Sequence, residues 1–152
     1  MSALGLHLKS SGVVAVEIDS QKDSLKLINK GAENFSGDAL DISNTDSILR
    51  YVDKLKEFLY DNKFKTNQAV CSLPQSEVFV RTIKVPVMKK KDLDNFIKYE
   101  SAQYIPLPLE EVTIGYEPMP LDFTEKNEQD VLLVAAKKKS VEKYIQIVKQ
   151  AN

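Results

Sequence analysis

The sequence has 152 residues, 43% hydrophobic and 28% charged, a globular composition sized for one compact domain or two very small ones. Its 21 basic and 22 acidic residues give a formal net charge of −1, without the cationic excess that phosphate contacts demand of nucleic-acid binders. No apolar run approaches the ~20 residues of a membrane span, the opening Met1-Ser2-Ala3-Leu4 does not read as a secretory signal, and one Cys71 with one His7 cannot build a zinc site from those ligand types.

The chain opens with strict alternation over residues 3–9, where Leu4, Leu6 and Leu8 share a face. Ser10-Ser11-Gly12 signals a turn, and the Val- and Ile-rich residues 13–19 form the return strand of a hairpin. Residues 24–30 predict a third strand and complete a meander. The polar stretch 31–44 reads as a loop. Ile48, Leu49, Val52, Leu55 and Leu59 then keep helical spacing and predict a helix over 45–62, capped by Ser43, Asn44 or Thr45. Residues 67–73 predict a short buried strand, holding the lone Cys71 as a small core residue, and Pro74 breaks it.

The second half predicts a strand over 77–85, a helix over 92–104 stopped by Ile105-Pro106-Leu107-Pro108, and strands over 112–117 and 131–136. The run Val131 to Ala136 is wholly apolar, so its strand should be central and covered on both faces. The loop 122–129 is polar, and Ser140 is placed to cap a last helix carrying Val141, Tyr144, Ile145 and Val148. The order βββαβ–βαββα makes the chain α+β (α/β-like), with a boundary that separates residues 1–76 from 77–152. The lysine clusters 89–91 and 137–139 read as solvated element ends.

Two charges fall on apolar faces. Arg81 shares the strand face of Phe79, Ile83 and Val85, and Glu100 falls within the helical stripe of Leu93, Phe96, Ile97 and Tyr104. An unpaired buried charge is costly. Either Arg81 and Glu100 approach each other, or Glu100 faces a groove, or both stems reach out to water.

Two stretches stand out as motifs. The first is Leu4-Gly-Leu-His-Leu-Lys-Ser-Ser-Gly-Val-Val-Ala-Val-Glu17. The second runs from Val78-Phe-Val-Arg-Thr-Ile-Lys-Val-Pro86 through Tyr99-Glu-Ser-Ala-Gln-Tyr-Ile-Pro-Leu-Pro-Leu-Glu-Glu-Val112 to Asp130-Val-Leu-Leu-Val-Ala-Ala136. Both resemble the PilM family, actin-like proteins of type IV pilus assembly. The resemblance implies a partial actin-like (ribonuclease H-like) meander plus helix, followed by an inserted βαββα subdomain similar to that of the cell-division protein FtsA. It also implies a longer protein, more than twice this length, of which the chain is a piece or a shortened relative.

Actin-like ATPases carry Asp-x-Gly in the first hairpin, where the carboxylate holds hydrated Mg²⁺ and glycine lets the backbone approach phosphate. The matching positions here are His7 and Lys9, and the family's hairpin lysine appears as Val14. With Ser10 they form a degenerate phosphate loop. The chain is therefore expected to have no enzymatic activity and no cofactor, with ATP and Mg²⁺ reserved for a longer form that retains the site. Carboxylate pairs such as Glu110-Glu111 and Asp92/Asp94 read as surface charge and helix-start residues. The resemblance further implies a cytoplasmic adaptor at the inner face of the cytoplasmic membrane. Its implied partner is the N-terminal tail of a PilN-like bitopic membrane protein, with the motor ATPases and self-association as further contacts and no nucleic acid. Tyr99, Glu100, Gln103, Tyr104, Ile105, Pro106 and Leu107 are the candidate partner-binding residues, an aromatic and apolar shelf beside a rigid Pro-x-Pro corner; the plain alternative is that Tyr104, Ile105 and Leu107 pack the domain. An actin-like ATP-binding protein and an FtsA-type or type II secretion adaptor are the alternative functions.

Overall fold

The computed structural model describes residues 2–21, 24–37, 39–119 and 127–151. The chain divides into two compact units: one comprises residues up to Pro74 together with those from Ser140 onward, the other Gln75–Lys139.

The first unit is built on a four-stranded sheet. Strands β1 (Ser2–Lys9), β2 (Gly12–Gln21) and β3 (Ser24–Asn34) form the antiparallel meander. Helix α1 (Thr45–Asp61) then crosses over so that β4 (Ala69–Ser72) pairs parallel to β1, giving the order β3-β2-β1-β4. Leu4, Leu6, Leu8, Val13 and Ala15 project from one sheet face and are buried against Ile48, Tyr51, Val52, Leu55, Phe58 and Leu59 of α1. Asn44 is the cap: its side-chain oxygen accepts from the Ser47 backbone N–H at 3.1 Å. Leu49, expected on the buried stripe, is exposed, and Tyr51 takes the inward position instead.

β3 runs four residues past its expected end because its pairing with β2 continues to Asn34 opposite Gly12. At Gly12 the β3 backbone passes so close that an added Cβ would collide with the Glu33 carbonyl oxygen. Phe35 then turns inward and meets the Tyr51 ring edge-on at 5.1 Å.

Among the described residues the second unit is a three-stranded antiparallel sheet with one α-helix. β5 (Val78–Pro86), α2 (Lys90–Glu100), β6 (Val112–Pro118) and β7 (Glu128–Lys137) follow in sequence, with β7 central in the order β5-β7-β6. Ile83, Val85, Val131, Leu133 and Ala135 bury one face against Leu93 and Ile97 of α2. β7 is central as expected, but only that face is fully buried; Leu132 and Val134, on the other, are half-buried. α2 ends at Glu100, earlier than expected, and a 3-10 turn over Ser101–Gln103 carries the chain to Tyr104. Residues 122–126 of the expected 122–129 loop lie outside the described residues, and Glu128 and Gln129 already belong to β7.

α3 (Lys138–Ala151) corrects three sequence expectations. It begins before Ser140, which is buried in the first turn and is not a cap. Its inward stripe is Tyr144, Ile147, Val148 and Ala151, whereas Ile145 is exposed. Those inward residues join the core of the first unit, so α3 leaves the expected 77–152 unit, and the insertion has βαββ order.

Candidate functional site

The β1–β2 hairpin carries the residues expected at a degenerate phosphate loop. His7 Nδ1 lies 2.8 Å from Ser72 Oγ, its register partner on β4. Lys9 is exposed at the end of β1. The Ser10 carbonyl accepts from the Leu40 N–H at 2.5 Å, and the Ser11 carbonyl from Phe35 N–H at 2.9 Å. From beneath, the Tyr51 hydroxyl lies 2.5 Å from the Gly12 carbonyl oxygen and 3.1 Å from that of Lys9. Burial raises the Tyr51 phenol well above its ordinary pKa, so it stays a neutral donor. The turn is thus tied to its own chain on two sides, and its side chains supply no carboxylate. Among the described residues no group of three His, Cys, Asp or Glu side chains is arranged to hold a metal ion.

Sequence reasoning missed Glu17. It sits on the apolar face of β2, 3% exposed, and its carboxylate accepts from Ser2 Oγ at 3.3 Å, Thr66 N–H at 3.1 Å and Lys65 N–H at 3.4 Å. The signal was present: Val13, Ala15 and Glu17 alternate onto the core face, and an acid there needs donors. Elsewhere in the first unit, Ala69 and Cys71 of β4, Leu73 just after it, and Tyr144, Ile145 and Val148 of α3 line an apolar groove of about 380 Å³. Cys71 is half-buried there, and burial pushes its thiol pKa up, away from the reactive thiolate.

In the second unit the seven shelf residues have different surroundings. Tyr99 is 70% exposed, with Lys98 Nζ 5.6 Å from its ring centroid. Gln103 donates its side-chain amide to the Glu100 carboxylate. Tyr104 is half-buried under the Arg81 guanidinium, which stands 5.8 Å from the ring centroid. Ile105 is 4% exposed and belongs to the core, Leu107 packs partly against it, and Pro106 faces solvent. Of the three alternatives for the two charges, the mutual approach is not the one taken: Arg81 is exposed and lies over an aromatic ring, and Glu100 is bonded by an amide. On the far side of α2 the Tyr116 hydroxyl donates to Asp94 Oδ1 at 2.5 Å, at the edge of a polar recess of about 520 Å³.

Residues 5–152 match the family model described as type IV pilus assembly protein PilM. The chain belongs to the PilM family. Among solved structures, the PilM-PilN type IV pilus biogenesis complex matches at 24% identity and a TM-score of 0.78, covering 98% of this chain and 44% of that one. The cytoplasmic domain of EpsL, an inner membrane component of the type II secretion system of Vibrio cholerae, matches at 14% identity and a TM-score of 0.56, covering 99% of this chain and 53% of that one. The PilM-family chain therefore spans about half the length, or less, of the chains it resembles. The likeness establishes the partial actin-like α+β fold with its insertion. Among the described residues no helix is long and apolar enough to cross a membrane.

Proposed function

We propose that this PilM-family chain acts as a non-catalytic adaptor of a type IV pilus inner-membrane platform, holding the N-terminal tail of a PilN-like membrane protein at the cytoplasmic face of the membrane. The observation that carries the reading is the family match across residues 5–152. The hairpin supports the non-catalytic half: His7 and Lys9 stand where an actin-like ATPase needs Asp and Gly, and the Ser10 carbonyl is taken by Leu40. On this reading the chain binds no ATP or Mg²⁺ by itself. For the tail, the exposed part of the shelf is Tyr99, Gln103 and Pro106, with the ring of Tyr104 beside them in sequence. Tyrosine rings and a rigid proline corner give an extended peptide contact area at low entropic cost.

The test is a titration of the ¹⁵N-labelled protein with a synthetic tail peptide from the PilN-like protein of the same genome. Shifts at Tyr99, Gln103 and Tyr104 support the reading; an unchanged spectrum at millimolar peptide overturns it. The likeness to the EpsL cytoplasmic domain favours one second reading, an adaptor of a type II secretion platform. Binding to the corresponding secretion-system tail instead of the PilN-like tail would select it.

A further inference from the structure

β5 presents the longest regular free edge of the second unit. It is an outer strand, and its nine residues pair with β7 without a break in register. The opposite edge strand, β6, is shorter, contains Gly115 and ends at Pro118. In the first unit the β3 edge is guarded: its pairing is irregular between Glu17 and Ile18, and it carries Lys26 and Lys30. Bulges, lysines and prolines are the ordinary means by which sheets discourage a further strand. From Val78 to Ile83, β5 has neither bulge, lysine nor proline.

The two faces beside that edge differ in chemistry. On one, Val80 is 48% exposed and lies next to half-buried Val134 and Leu132. Gly115 follows beyond Val134, and a Cβ there would meet nothing within 4 Å, so the strip of this face from Val80 across Val134 is apolar and uncrowded. On the other face Arg81 is exposed over Tyr104 and makes no ion pair among the described residues. Glu100 is engaged by Gln103.

We propose that the outer edge of β5 accepts an extended acidic strand from a partner protein, with alternating apolar and carboxylate side chains. An added strand sends successive side chains to opposite faces. Its apolar residues lie beside Val80, and a carboxylate on the other face is forked by the Arg81 guanidinium. The Tyr104 ring holds that guanidinium in place, which reduces the ordering cost of the contact. This surface goes beyond the tail-binding shelf, because it recognises a different chemistry through main-chain pairing.

The probe is the peptide Ac-Ser-Val-Glu-Val-Glu-Val-Ser-NH₂, titrated into the ¹⁵N-labelled chain beside a version with Gln for Glu. The acidic peptide is expected to shift the amides of Val78–Lys84, and the Gln version to bind about tenfold more weakly. Arg81→Gln, at an exposed position, should weaken the acidic peptide about tenfold and leave the Gln peptide unchanged; its spectrum without peptide verifies the fold. Equal affinity for the two peptides, shifts confined to other elements, or equal weakening of both by Arg81→Gln overturns the proposal. So does a concentration-dependent shift of β5 without peptide, since a second copy would then be the occupant.

Discussion

The Glu17 carboxylate accepts a hydrogen bond from the Thr66 backbone N–H at 3.1 Å, joining the middle of β2 to the segment that leads into β4. With the bonds from Ser2 and Lys65 it ties three stretches of chain at one point of the core face. Glu17→Ala removes the acceptor and leaves part-buried donors unpaired, a loss of about 1–3 kcal/mol. Urea denaturation should show it, and Glu17→Gln, which keeps an oxygen acceptor, should recover part of the loss.

Tyr51→Phe keeps the edge-on contact with Phe35 and deletes only the hydroxyl that holds the hairpin carbonyls. A loss of about 1–2 kcal/mol is expected in chemical denaturation. The pH dependence has a defined sign. The folded phenol is raised above the ordinary value of 10.0, so the folded state keeps a proton that the unfolded chain releases. Stability from this group is complete below pH 10 and falls as the pH rises above it. The fall between pH 10 and 11 should be smaller in Tyr51→Phe than in the parent.

Ile147 and Ile145 stand two residues apart with opposite surroundings, the first wholly buried and the second 47% exposed. Ile147→Ala should cost about 2–5 kcal/mol through the cavity it leaves. Ile145→Ala should stay within about 0.5–1 kcal/mol. Equal losses would contradict the orientation of α3.

Within the shelf, Ile105→Ala should destabilise the protein by about 2–4 kcal/mol, since that side chain belongs to the core. Tyr99→Ala should leave the unfolding midpoint nearly unchanged and weaken the PilN-like tail peptide several-fold, read by fluorescence titration. A Tyr99→Ala protein that binds the tail as tightly as the parent removes Tyr99 from the proposed contact.

Local chemistry was legible wherever one face of an element meets the core. The alternation of Leu4, Leu6 and Leu8 gave β1 directly, and Asn44 was among the caps expected for α1. Legibility failed where apolar residues crowd one turn of a helix. Ile145 and Ile147 both suit a helix stripe, and only the packing of Tyr144 and Ala151 decides which turns inward. Arg81 and Glu100 are apparent partners in sequence, yet a ring and an amide beside them satisfy each charge at less cost in ordering than a long-range ion pair. The alternation of Val13, Ala15 and Glu17 places that acid inward, but two of its three donors are backbone groups of residues 65 and 66, so the pattern does not name its partners.

Because α3 returns to the first unit's core, residues 75–139 enter and leave that unit through two covalent connections. To the first unit they amount to a loop closed between Pro74 and Ser140. Closure entropy grows only as the logarithm of loop length, about 0.6 kcal/mol per doubling, so an insertion that folds on its own adds little thermodynamic burden to its host. Its cost is kinetic: α3 can find its place only after the whole insertion has been synthesised. Until then the first unit's core lacks Tyr144, Ile147 and Ala151, and the unit is most exposed to aggregation while it is being made.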